Sequence, residues 1–263
     1  MTEHRLSVGV VTPHAAAGPE VELPTMTRGR VTTVLSRTAP PSASQSPSQP
    51  RWQPPSGTAP PGHAELRTST EDAAIDRAAV TFAGTALDAV AHASTTTGYV
   101  IGARGEAALV ARLSQRFEVP AVASCAAAAA ALRAHRVGKV QLVHPPWFDD
   151  DFDELGAAYF RSQGFDTVVT KADDLPGDPS RVEPQSVIDR LRHHLDDTSE
   201  AVFLAGNGLR AAAAVEELEE RTGRLVLAAN QALLWAILDV THKSWDVTGY
   251  GRLLRLPQRG VGR

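Results

Sequence analysis

Segments of the first half of this 263-residue chain return in its second half, and that repeat limits the fold more than any other feature. Val8-Gly-Val-Val-Thr-Pro13 matches Val140-Gln-Leu-Val-His-Pro145, and Ala89-Val90 matches Ala201-Val202. Pro120-Ala-Val-Ala-Ser-Cys-Ala126 matches Arg224-Leu-Val-Leu-Ala-Ala-Asn-Gln231. The offset shortens by about twenty residues along the chain, which fits an insertion in the first half. Each matched run is short, apolar and closed by a turn residue, as buried parallel strands are. The runs alternate with helical patterns, so the chain predicts an α/β fold of two pseudo-symmetric flavodoxin-like halves. Each half is a parallel sheet flanked by helices, with a cleft between the two.

The halves divide as 1–38 with 71–136, and 137–251. Residues 39–70 are rich in Pro, Ser, Gln and Gly and bury too little apolar surface to offset their ordering entropy, so they predict a disordered insertion. His14 to Thr27 reads as a loop, and 252–263 as a loose basic tail. The formal charge of −4 and the lack of a basic stripe argue against nucleic acid as a partner. No apolar run has transmembrane length, and the amino terminus lacks a secretory pattern. A single cysteine excludes a disulfide framework and a cysteine-rich metal site. The expectation is a cytoplasmic protein with no membrane partner, and a homo-oligomer is left open.

In open parallel sheets, ligands sit beyond the carboxyl ends of the strands. Here that rule gathers Thr12, Ser94, Thr95, Thr96, Ser124, His144, Gly206, Asn207 and Asn230 around one cleft. The stretch from Asp88 to Gly102 reads as a strand, then a hydroxyl-rich turn, Ser94 to Thr97. Glu200 to Arg210 repeats the pattern with Gly206-Asn-Gly208. Backbone amides at such turns favour an anion.

These residues resemble the aspartate/glutamate/hydantoin racemase superfamily, in its maleate isomerase and arylmalonate decarboxylase branch. The resemblance rests on Gly9-Val-Val-Thr-Pro13, Ser94-Thr-Thr with Gly102, His144-Pro145, Gly206-Asn-Gly-Leu209 and Ala229-Asn-Gln-Ala-Leu-Leu-Trp235. It implies a cofactor-independent enzyme, an isomerase or decarboxylase of a small carboxylic acid, with no metal. Such enzymes place a catalytic cysteine at the end of each half's third strand. Here those positions are Ser94 and Gly206, and Cys125 matches neither. The asparagine expected after the first strand is replaced within His14-Ala-Ala-Ala17.

Cysteine chemistry is therefore absent, because a serine is weak unless activated and a glycine supplies only its N–H. What the resemblance leaves is a carboxylate cradle of Thr12, Thr95, Thr96, Gly206, Asn207, Gly208 and Asn230. The candidates for chemistry are Ser94 and His144, with His92 and Cys125 more simply read as core residues. Asp149-Asp-Asp151 reads as the acidic first turn of a helix, and His193-His194 have no metal-ligand spacing. The alternative is a non-catalytic paralogue that binds carboxylates.

Overall fold

The computed structural model describes residues 5–38, 62–192 and 194–255. The first half contains β1 (Leu6–Thr12), α1 (Pro19–Met26), β2 (Val31–Arg37), α2 (His63–Thr68), α3 (Asp72–Phe82), β3 (Ala89–His92), α4 (Thr95–Phe117), β4 (Ala121–Ala123) and α5 (Ser124–Ala134). The second contains β5 (Lys139–His144), α6 (Asp150–Ser162), β6 (Asp166–Lys171), α7 (Pro184–Arg192), β7 (Ala201–Leu204), α8 (Val215–Thr222), β8 (Leu225–Ala228) and α9 (Ala229–Val240). The sheets run β2-β1-β3-β4 and β6-β5-β7-β8, every pairing parallel. The two orders coincide when the halves are superposed in sequence, so the repeat is a structural duplication.

Register carries the site. His92 lies opposite Val11 and Ala123, so the carboxyl ends of β1, β3 and β4 finish together. Leu204 lies opposite Val143 and Ala228, which does the same for the second sheet. One apolar cluster spans both halves, from Leu6 and Val8 to Leu253. A smaller one, with Val11, Ile75, Phe82 and Leu109, covers the other face of the first sheet.

Four stretches differ from the sequence expectation. Residues 19–26 form α1, where Pro19 opens the helix and Glu20 and Glu22 favour its amino end. Pro24 inside the helix hides that signal. Residues 62–70 lie within the predicted insertion yet include α2, whose Leu66 is fully buried and whose His63 packs edge-on against Phe152. The remainder of that insertion, 39–61, falls outside the described residues. Arg252–Arg255 form a 3-10 turn anchored by buried Leu253 and Leu254, so the tail is not loose there. Finally, the hydroxyl-rich turn is already helix: α4 starts at Thr95 and continues through a kink at Gly102, whose φ of 68° suits a glycine. Among the described residues, no helix is long and apolar enough to cross a membrane.

Candidate active site

Ser94 is the residue on which the first half's strand end and helix start converge. It is fully buried, has extended backbone (φ −160°, ψ 108°) and caps α4. Its Oγ accepts the Thr97 N–H at 3.1 Å and the Thr97 hydroxyl at 2.8 Å. A third neighbour, Thr96 Oγ1, stands 3.2 Å away. His14 Nε2 sits 2.7 Å from the same oxygen and 3.3 Å from Thr96 Oγ1.

Two donors aimed at Ser94 Oγ leave its own proton for His14. Burial, aided by the Arg37 cation, pulls His14 down to a pKa of about 4, so the ring is neutral near pH 7 and can accept that proton. The donors from Thr97 and the amino end of α4 stabilise negative charge on the oxygen. A base and donors to the oxygen are what a serine hydroxyl needs to be activated.

The loop bearing His14 is fixed from beneath. Thr12 Oγ1 donates to Ala93 O at 2.9 Å and accepts the His14 N–H at 3.3 Å, tying the ends of β1 and β3. Arg37 Nε donates to His14 O at 3.0 Å, and its guanidinium pairs with Glu20 at 2.7 Å. Thr12 thus acts as a brace for the loop.

The residues of the expected cradle meet across the halves. Gly206 N–H donates to Thr95 Oγ1 at 3.1 Å, and Thr95 N–H donates to Asn207 Oδ1 at 3.1 Å. Asn207 Nδ2 donates to Ser124 Oγ at 2.9 Å and to Asn230 Oδ1 at 2.8 Å. Gly206 has φ 91°, and a Cβ there would lie 3.2 Å from the ring of Pro145. Backbone strain therefore disfavours any side chain where the second half would present one. Gly208 lies beside Ala16 and Pro179.

His144 is placed elsewhere. It is fully buried, with Nδ1 2.6 Å from Asp153 and Nε2 3.1 Å from the Tyr99 hydroxyl, so both ring nitrogens are engaged. The hydroxyl it serves is that of Tyr99, not of Ser94. His92 is buried with neither ring nitrogen hydrogen-bonded, and burial first, then His14, lowers it to about 3. Cys125 is a core thiol: Sγ donates to Thr95 O at 3.4 Å, and burial, then Glu106, holds its pKa well above the usual range. Among the described residues, no group of His, Cys, Asp and Glu could hold a metal ion.

Sequence reasoning missed two residues. His14 entered only as a replaced asparagine in a loop, although β1 and β3 pair directly and bring Thr12 and Ser94 side by side. Glu22 was missed with α1 itself. Its buried carboxylate accepts from Asn230 Nδ2 at 2.7 Å and from the Ala212 N–H at 2.9 Å. Burial pushes it up to about 7, against the opposing effects of Asn230, the Ala212 amide and Arg210.

The whole-chain architecture has close structural counterparts. A maleate isomerase from Pseudomonas putida superposes with a TM-score of 0.78 at 20% identity, over 95% of this chain and 98% of that one. A Nocardia farcinica maleate cis-trans isomerase mutant, with a covalently bound succinylcysteine intermediate, gives 0.72 at 21%, over 95% and 98%. An unliganded arylmalonate decarboxylase gives 0.71 at 20%, again over 95% and 98%. No match is found among curated proteins. The family model described as arylmalonate decarboxylase matches residues 62–254, and the chain belongs to that family.

Proposed function

We propose that this protein is a cofactor-independent isomerase or decarboxylase of a small carboxylic acid, in which Ser94 and His14 supply the chemistry. The observation that carries the reading is the 2.7 Å approach of His14 Nε2 to a Ser94 Oγ that already accepts two hydrogen bonds from Thr97. On an unsaturated acid, Oγ would add to one alkene carbon as its proton passes to Nε2. The alkene electron pair would move into the adjacent carboxylate as an enediolate. Rotation about the resulting single bond and collapse would regenerate the alkene and return the proton to Oγ. On a malonate, carbon dioxide would leave with its bonding pair moving into the remaining carboxylate. Oγ would then protonate the carbon and regain a proton from solvent through His14.

Both routes use one proton-transfer group on one side of the substrate. Two-base racemisation needs a second, and Gly206 has no side chain. The enediolate would be met by the hydroxyls of Thr95 and Thr96 and the amides of Gly206, Asn207 and Gly208. The Gly206 N–H already bonds the Thr95 hydroxyl, so substrate would displace that protein–protein hydrogen bond on entry. We place the enzyme in the cytoplasm.

A turnover screen on maleate, arylmalonates and aspartate tests the reading. Conversion of the first or second that is lost in Ser94→Ala supports it. Binding without turnover would favour a carboxylate-binding paralogue instead.

A further inference from the structure

Behind the substrate cradle stands a buried carboxylate that neither proton transfer nor the cradle itself uses. Glu22 lies on α1, in the first half, yet its carboxylate is buried among residues of the second. Oε1 accepts the Ala212 N–H and Oε2 accepts Asn230 Nδ2. Asn230 Nδ2 also donates to Asn207 O at 2.8 Å, while Asn230 Oδ1 accepts Asn207 Nδ2. The far end of the Asn207 amide, Oδ1, then accepts the Thr95 N–H and lies 3.2 Å from Ser124 Oγ.

A primary amide can point either way, and only its partners decide which end is donor. Above about pH 7, where Glu22 is ionised, its carboxylate has no proton to give, so the Asn230 NH2 turns toward Glu22 and the neighbouring Asn207 carbonyl. The Asn230 oxygen then faces Asn207 Nδ2, while the Thr95 N–H holds the opposite end of that amide. The Asn207 oxygen is thereby aimed at the first residue of α4, beside Ser94. The backbone is held to the same end: a Cβ on Gly18, at the start of α1, would come 2.2 Å from Asn207 O.

We infer that Glu22 is a positioning residue that sets, through Asn230, the orientation of the Asn207 side chain in the cleft. The inference rests on the proposed active site for its consequence, but its geometry stands without any turnover. Glu22→Gln keeps the shape and ends the polarity, since the new amide can both donate and accept. Glu22→Asp is the control, since it keeps a carboxylate, an obligate acceptor, at the same backbone position.

The test is side-chain amide NMR of Asn207 and Asn230, recorded on the full chain with no ligand and then with phenylmalonate. At pH 8, Glu22→Gln is expected to shift or split the Asn207 NH2 signals, and Glu22→Asp to keep a single set near the wild-type positions. Phenylmalonate affinity is expected to fall about tenfold in Glu22→Gln, as the loss of one well-aligned charged hydrogen bond implies, and to be largely kept in Glu22→Asp. Unchanged Asn207 signals in a folded Glu22→Gln protein would overturn the inference. So would an equal shift in Glu22→Asp, because that variant keeps the acceptor and changes only the packing. Should the wild type bind no phenylmalonate and turn nothing over, the proposed function fails while the ligand-free NMR comparison still decides this one.

Discussion

At the scale of single residues, the replacement of a thiol by a hydroxyl is a change in what must surround the reacting atom. A thiol ionises near neutrality with modest help, whereas a hydroxyl needs a base and an anion-stabilising shell. Ser94 has both, in His14 and Thr97. Ser94→Ala and His14→Ala are each expected to lower kcat by about 10²–10⁴, the range of acid–base groups, with a much smaller effect on KM. Because His14 acts only when neutral and titrates at about 4, the rate in wild type should fall as pH drops through that value. Steady-state kinetics on whichever acid is turned over would check both, and a His14→Ala enzyme of unchanged kcat would remove histidine from the mechanism. Cys125→Ala gives the contrast. Its thiol is protonated, buried and bonded to Thr95 O, so the substitution should cost about 1 kcal/mol of stability and leave kcat nearly intact. Alkylation that abolishes turnover, with protection by a bound carboxylate, would contradict this.

At the scale of elements, two short helices do more than their length suggests. Leu66 of α2 is fully buried beneath α4, and Leu66→Ala should therefore cost about 2–5 kcal/mol in urea denaturation, as core leucines do. A cost below 0.5 kcal/mol would show that α2 is not part of the folded core. The same two helices mark where the sequence was legible and where it was not. The parallel strands showed because apolar runs repeat with a turn residue at each end, as in Val8–Pro13 and Val140–Pro145. The ends of those strands gave Ser94, Thr95, Asn207 and Asn230, which the structure gathers at one place. Helix α1 was obscured because Pro24 breaks its pattern, and α2 because it follows directly on a Pro- and Ser-rich run. His14 was hidden for another reason. Its partner lies 80 residues away in the chain, and only the pairing of β1 with β3 makes them neighbours. His144 sits at the expected strand end, but its two ring nitrogens meet local partners, Asp153 and Tyr99, and not Ser94.

At the scale of the whole molecule, joining two halves face to face buries ionisable groups that single sheets would leave in water, and their titration predicts how stability depends on pH. Glu22 bridges the halves from α1. Glu106, on α4, accepts the Cys125 N–H at 3.1 Å and the hydroxyl of Tyr159 on α6, so it too joins them. Burial pushes both carboxyls from 4.5 up to about 7. The folded state therefore holds protons between those values that the unfolded chain has released. The stability this gives is full below 4.5 and is lost as pH rises through about 7. His14 and His92 act in the opposite sense. Burial lowers them from 6.5 to about 4 and about 3, so their contribution is full above 6.5 and is lost as pH falls through those lower values. Above 6.5 only the glutamates titrate among these four, and stability falls with rising pH. Below 4.5 the histidines dominate, and it falls with falling pH. Between 4.5 and 6.5 the two pairs cancel, and His144, which burial also lowers, tips the balance, so the melting temperature should be highest near pH 6.5. Scanning calorimetry across that range and above it would locate the peak, and the Glu22→Gln, Glu106→Gln double variant should convert its alkaline side into a plateau. A wild-type melting temperature that stays level through pH 8 would mean that the two carboxyls are ionised in the folded protein. Their burial between the halves would then be offset by partners beyond Arg210, Tyr159, Asn230 and the backbone amides they already accept from.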